Sequence, residues 1–198
     1  MYDVSEDTGF SAPEGLRKSL ADGITMDPLV TPAATLNAAA VQIPIVARET
    51  PSVLFTLRAT DLSLHAGQIS YPGGRFQQED GTFLETALRE TEEETGITRN
   101  HVEVVGFLDP YLTSTGYTVI PVVGFLKQGF TLVRNEHEVA EIFEVPLNFL
   151  LDPENRALRR AERNGVWREF HSIRYRDYEI WGATAGMIVN LSQRLQGR

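Results

Sequence analysis

The order of elements in this 198-residue chain predicts an α+β domain. Three observations carry that reading. Short β-branched and aromatic runs, broken by Gly, Pro or Asn, recur along the chain. One strongly marked helix, over 82–95, interrupts them, and a second, Ala183–Leu195, closes the chain. Strands and helices do not alternate regularly, so a mixed or antiparallel sheet is expected rather than a parallel βαβ array.

Residues 1–35 read as an irregular N-terminal extension, rich in Gly, Pro, Ser and Asp, with one short helix at 15–21; the domain follows over 36–198. From Ala38, the residues Val41, Ile43 and Ile45 alternate with Gln42 and Pro44, which predicts a strand, at an edge or bulge because proline cannot donate to a ladder. A second strand is expected over 53–58, after a turn at 49–51. A loop then leads to a short strand at 69–71, and Pro72-Gly73-Gly74 breaks the chain. Thr82 and Glu85 form a capping box for the next helix, and Gly96 stops it. Further strands are expected at 102–108, Thr118–Leu126, 130–133 and 139–145, and a hairpin pairs 167–175 with Tyr178–Trp181. The last helix carries Ala185, Ile188, Val189 and Leu195 near one face.

Composition narrows the function classes. Hydrophobic residues make up 42% and charged residues 23%, which excludes a collagen, a coiled coil and a wholly disordered tail. No apolar run is long enough for a membrane span, and the acidic start lacks the order of a secretory signal. There is no cysteine, so disulfides, thiolate zinc sites and cysteine nucleophiles are excluded, and a cytoplasmic location is expected. The net charge of −9 argues against nucleic-acid binding by phosphate neutralisation. Most of that charge sits in one place. Residues 79–94 hold Glu79, Asp80, Glu85, Glu90, Glu92, Glu93 and Glu94 against one base, Arg89.

On a helical wheel of about 100° per residue, Glu90, Glu93 and Glu94 fall within about 100° of arc. Leu84, Ala87, Leu88, Thr91 and Thr95 form a separate stripe for the core, and Glu85 and Glu92 point to solvent. This placement works against the helix. Glu90 and Glu94 are like charges at i and i+4, and Glu93 and Glu94 face the negative end of the dipole. A carboxylate cluster that opposes local stability points to function, and hard divalent cations take such oxygens together with substrate phosphates.

The segment RETEEETGI, from Arg89 to Ile97, resembles the second half of the Nudix box, with Thr91 where an aliphatic residue is usual. Pro72-Gly73-Gly74 resembles the glycine start of that box. The spacing between them is one residue longer than in the box, with Gly74 fifteen before Arg89, and Gly81 stands where the first glutamate belongs; Glu79 and Asp80 are the nearby substitutes. Upstream, Thr56, Arg58 and the run His65-Ala66-Gly67-Gln68-Ile69 before Pro72-Gly73-Gly74 resemble the motif of coenzyme A pyrophosphatases within the Nudix superfamily. Two further stretches, 138–147 and 180–191, extend the likeness.

The resemblance implies an α/β/α sandwich around a mixed sheet, with 82–95 as the catalytic helix. It implies Mg²⁺ or Mn²⁺ as cofactor, with Glu90 and Glu94 as the main ligands and Glu93 as a third ligand or a base. Arg89 would orient a carboxylate. A further carboxylate is expected among Glu136, Glu138 and Glu141, with Glu138 favoured, so that Glu93 or Glu138 serves as the base. Arg58, His65, Gly73, Gly74, Arg75 and Tyr117 are the expected substrate contacts, Arg58 having a structural ion pair as its alternative. Tyr111 and Tyr117 can stack on adenine. The implied reaction is attack of water on one phosphorus of a P–O–P bond in a nucleoside diphosphate derivative. Coenzyme A or its thioesters come first, and ADP-ribose or a dinucleotide is the alternative. Partners would be a small-molecule nucleotide, neither nucleic acid nor membrane, in a monomer or homodimer. Two competing readings are a non-catalytic Nudix-like nucleotide-binding module and an interaction protein whose acidic helix meets a basic partner.

Overall fold

The computed structural model describes residues 14–28, 30, 37–60, 66–163 and 165–196. In chain order the elements are helix α1 (Glu14–Gly23) and strands β1 (Ala38–Val46), β2 (Ser52–Arg58), β3 (Ile69–Ser70) and β4 (Gly73–Arg75). Helix α2 (Phe83–Thr95) is followed by β5 (Val102–Phe107), β6 (Tyr111–Leu112), β7 (Thr118–Leu126), β8 (Val139–Pro146) and helix α3 (Leu147–Leu151). Strands β9 (Arg156–Arg163), β10 (Val166–Tyr175) and β11 (Tyr178–Trp181) precede the closing helix α4 (Ala183–Leu195).

The main sheet runs β3-β2-β1-β7-β5, with β4 on β1, β6 on β7 and β8 on β2. The β1–β7 pair is parallel over nine aligned residues and the other pairs are antiparallel, which makes the sheet mixed, as expected. Helices cover both faces. Ala39, Ile43 and Ile45 of β1 join Ala185, Met187, Ile188 and Leu191 of α4 in one cluster. Ala38 and Ala40 meet Phe83 and Ala87 of α2 on the other face. Each fully buried Phe or Leu side chain contributes about 1.5–3 kcal/mol.

Burial on both faces and a partner on each side correct the reading of β1 as a strand at an edge or bulge. Gln42 is 0% exposed, and Pro44 lies inside the sheet. Pro44 is tolerated because its flank changes partner there. Strand β4 pairs as far as Val41 and β2 begins at Ile45, so the missing N–H breaks no ladder bond.

A second correction concerns 130–133, which is a loop and not a strand. Phe130 is buried beside Leu88 and Ile97, so the apolar residues seal the end of α2 instead of pairing. The amides of Val133 and Asn135 donate to the Thr95 and Glu94 carbonyls at 2.8 and 3.1 Å, which would otherwise be orphaned at the helix C-terminus. At the other end of α2 the Thr82 hydroxyl accepts from the Glu85 amide, but the Glu85 carboxylate pairs with Arg99 instead of closing the box. Within the segment expected as an extension, α1 buries Leu20 completely in the α4-side core, and Thr25 bridges to Phe107. The hairpin of β10 and β11 forms with β9 a separate three-stranded sheet.

Candidate active site

Helix α2 lies along β1 and β4 with its acidic side toward the glycines of β4. Its stripe of Phe83, Ala87, Leu88, Thr91 and Thr95 is buried, which fixes the rotation of the helix. Thr91 takes the usual aliphatic place because its hydroxyl donates to the Ala87 carbonyl at 2.7 Å and leaves only the methyl to pack. That rotation buries Glu94 to 2% exposure and leaves Glu93 half exposed, at 55%.

Glycine at β4 is required by close approach. A Cβ on Gly74 would lie 2.4 Å from the Glu90 carboxyl, and one on Gly73 would lie 2.5 Å from the Ala40 carbonyl. The Gly73 amide donates to Glu94. Two glycines therefore let a bare backbone lie against two carboxylates.

Arg89 organises the rest. Its guanidinium grips Asp80 at 2.7 and 3.1 Å, and one nitrogen donates to Glu90 at 2.8 Å and to Glu93 at 3.0 Å. Asp80 also accepts from the Thr86 hydroxyl and the Gln77 amide. These bonds, the Arg89 one foremost, hold the Asp80 carboxyl down at about 2 and raise the Arg89 pKa. Asp80 is the residue that the motif alone did not single out. With the loop one residue longer, Gly81 occupies the box position and the preceding residue, Asp80, reaches Arg89, while Glu79 stays exposed. The signal was available in the nearness of Asp80 to Arg89 in the box, but Glu79 offered the same charge.

Burial raises the pKa of Glu90 and pushes that of Glu94 up to about 8. Arg58 opposes the second shift, and the charges of Glu90 and Glu138 add to it. Arg58 stands 3.8 Å from Glu94, the ion-pair alternative for this residue. Glu138 is the downstream acid whose charge acts on both Glu90 and Glu94. The others are engaged elsewhere. Glu136 pairs with Arg134, Glu141 accepts from Tyr178, and Glu144 pairs with Arg48. Arg75 lies with its guanidinium 5.1 Å from the centre of the Tyr117 ring, while Tyr111 lies against Gly186 of α4. His65 falls outside the described residues.

These groups suit a divalent cation. Glu94 Oε2 is buried with no hydrogen-bond partner among the described residues, and a lone carboxylate oxygen in that setting is costly unless a cation meets it. Among the described residues no three acidic or histidine side chains already form a closed cage.

A mixed sheet between helices, with a glycine-backed carboxylate helix, defines a pyrophosphohydrolase-type enzyme. The NUDIX domain family model matches residues 36–174, and the chain belongs to that family. It is 41% identical over 158 residues to the uncharacterized Nudix hydrolase NudL of Photorhabdus laumondii, covering 80% of this chain and 84% of that one. It is 41% identical over 157 residues to the protein of the same name in Yersinia enterocolitica, covering 79% and 80%. The fold is shared with a MutT/nudix family protein from Enterococcus faecalis at a TM-score of 0.51 and 16% identity, over 88% of this chain and 64% of that one. The chain is thus a Nudix hydrolase acting on pyrophosphate bonds of small-molecule nucleotides, and such enzymes generally use divalent metal ions. No helix among the described residues is long and apolar enough to cross a membrane.

Proposed function

We propose that this enzyme hydrolyses coenzyme A or its thioesters with Mg²⁺ or Mn²⁺, as a cytoplasmic monomer or homodimer. The products are adenosine 3′,5′-bisphosphate and a 4′-phosphopantetheine species. The observation that carries the reading is the convergence of Glu90 and Glu94 on the Gly73–Gly74 backbone, within reach of the Glu138 charge, with one Glu94 oxygen left without a partner among the described residues. The choice of substrate rests on the motif from Thr56 to Gly74, whose Arg58 stands beside Glu94.

Glu90 and Glu94 would hold the cation, with Glu93 as a third donor. When bound, the cation neutralises charge on the pyrophosphate and lowers the pKa of the attacking water. Arg89 keeps Glu90 and Glu93 in place through its anchor on Asp80. Water adds to one phosphorus, the bridging P–O bond breaks, and the water proton passes to a carboxylate. Glu138 suits that role better than Glu93, since Glu93 is already engaged in an ion pair with Arg89. Arg58 and Arg75 supply positive charge for the phosphates, and Tyr117 a face for the base. A panel of coenzyme A, dephospho-coenzyme A, ADP-ribose and diadenosine polyphosphates, each with Mg²⁺ and Mn²⁺, tests this. Coenzyme A should have the highest kcat/KM. Preference for ADP-ribose would overturn the substrate, and binding without turnover would overturn the reaction.

A further inference from the structure

Asn135 ties Glu94, at the end of α2, to Glu138, just before β8. It is half-buried, as is Glu138, while Glu136 and His137 between them are exposed. Every polar group of Asn135 is used. Its backbone amide donates to the Glu94 carbonyl at 3.1 Å, which fastens the residue to the helix. Its backbone carbonyl accepts from the amides of Glu138 and Val139 at 3.1 and 2.8 Å. Its side-chain oxygen accepts from the His137 amide at 3.2 Å, and its side-chain nitrogen donates to the Glu138 carboxylate at 3.4 Å.

The two ends of this carboxamide cannot be exchanged. A backbone N–H only donates, so the end facing His137 must be the oxygen. An ionised carboxylate only accepts, so the end facing Glu138 must be the nitrogen. The local turn that the oxygen makes with residue 137 therefore aims the nitrogen at Glu138. One such donor occupies one of about four acceptor positions on a carboxylate and leaves the others for water. Glu93, by contrast, is held by the charged Arg89.

The backbone fixes the other side of Glu138. Strand β8 keeps regular antiparallel register with β2 from Pro146 to Glu141; Arg58 then faces Val139, and Ala140 is left over as a bulge. Arg134 donates to the carbonyl of this extra residue, and the Ala59 amide donates to the Glu138 carbonyl at 2.9 Å. Bulges beside active sites re-aim side chains. This one brings Glu138 to the Arg58 end of β2, and Arg58 stands 3.8 Å from Glu94.

We propose that Asn135 is a positioning residue for the hydrolysis: its side-chain amide holds the Glu138 carboxylate beside the Glu90–Glu94 cluster, where Glu138 takes the proton of the attacking water. The inference rests on the function proposed above, in which Glu138 is the base, and adds what aims that base. It follows that Asn135 acts on turnover through Glu138 and not through the metal carboxylates.

The test is a double-mutant cycle on the full chain with Mg²⁺. The substrate is coenzyme A, or ADP-ribose or a diadenosine polyphosphate if one of those is cleaved faster. Asn135→Asp keeps an oxygen for the His137 amide and loses the donor to Glu138, whereas Asn135→Ala loses both. Each should lower kcat by about tenfold or more and leave KM within about twofold, so that Asp does not recover what Ala loses. In a Glu138→Gln background neither should cost more than about a further twofold, because the group that Asn135 aims is gone. Mn²⁺ affinity without substrate, from titration calorimetry, should stay within about twofold of native in Asn135→Ala, since the backbone bond to Glu94 remains. If Asn135→Ala does not fold, Asn135→Asp decides the matter. Native kcat in Asn135→Asp would reduce Asn135 to a turn residue. Losses that multiply in the double variant, or a fall in Mn²⁺ affinity that tracks kcat, would place its action elsewhere. Each of these overturns the inference. An unimpaired Glu138→Gln enzyme would instead remove the base, and this inference with it, while leaving the metal site and the reaction intact. If the unaltered enzyme cleaves none of these substrates, the proposed function fails, and the role of Asn135 falls with it.

Discussion

Replacing Glu94 by Gln tests the link between burial, charge and metal most sharply. Glu94 is 2% exposed, and its pKa is pushed up to about 8, chiefly by burial. Its ordinary value is 4.5. Between those values the folded protein binds a proton that the unfolded chain has released, so stability without metal must fall as pH rises from about 4.5 to 8. The full shift corresponds to about 5 kcal/mol at about 1.4 kcal/mol per unit. Movement of the side chain toward water and toward Arg58 reduces that, and a difference on the order of 3 kcal/mol between the native and Gln proteins is expected at pH 8.5. For a chain of this size that is a Tm difference of about 6–12 °C. Thermal unfolding in EDTA should show Glu94→Gln to be the more stable protein at pH 8.5 and nearly equal at pH 4.5. Saturating Mg²⁺ should raise the Tm of the native protein at pH 8.5 and leave the variant unmoved. Turnover should fall by at least about a hundredfold. Parallel pH–Tm curves for the two proteins would refute the reasoning, because they would mean that the carboxylate is not carrying an uncompensated charge.

The remaining expectations use the same geometry. Asp80→Asn removes the fork on Arg89. It should lower stability by about 1–3 kcal/mol and shift the metal-activation curve to higher concentration, with Asp80→Glu restoring part of both; an unshifted curve would detach Asp80 from the site. The Asp80 contribution to stability is complete above its unfolded pKa near 4 and should be lost as pH falls toward about 2, which acid denaturation of the Asp80→Asn protein against the native one measures. Glu138→Gln should lower kcat by about a hundredfold or more, whereas Glu136→Gln and Glu141→Gln should stay within about threefold; the reverse pattern would move the base elsewhere. Arg58→Ala should cut kcat/KM by about ten- to a hundredfold, and equally for coenzyme A and dephospho-coenzyme A, because Arg58 faces Glu94. A loss confined to coenzyme A would place Arg58 at the 3′-phosphate instead.

The helix of the site was legible in the sequence because its signals are local. Thr82 caps it, Gly96 ends it, and the stripe from Ala87 to Thr95 sets which side is buried. The rotation of Glu94 into the interior was not legible, since a wheel gives angles but not the depth at which β4 lies against the helix. Arg58 could be read equally as a phosphate contact or an ion pair, and the choice depended on where β2 ends relative to α2. Asp80 was hidden by a lengthened loop, where one residue of slippage separates two adjacent acids of equal charge. The 130–133 run misled because β-branched and aromatic residues report burial as much as pairing; here the buried Phe130 seals a helix end. Pro44 misled for a related reason, since only the sheet order shows that a central strand can change partners at that residue.

The central claim is that Glu90 and Glu94 hold a divalent cation for cleavage of the pyrophosphate in coenzyme A. Incubation of the purified enzyme with coenzyme A and Mg²⁺ or Mn²⁺ in H₂¹⁸O, with mass spectrometry of the products, tests it directly. The account predicts equal amounts of adenosine 3′,5′-bisphosphate and 4′-phosphopantetheine, one of them carrying a single ¹⁸O. It also predicts no product in EDTA and at least about a hundredfold less from Glu94→Gln. Undiminished product in EDTA, or from Glu94→Gln, would contradict the metal site, and intact coenzyme A under all conditions would contradict the assigned reaction.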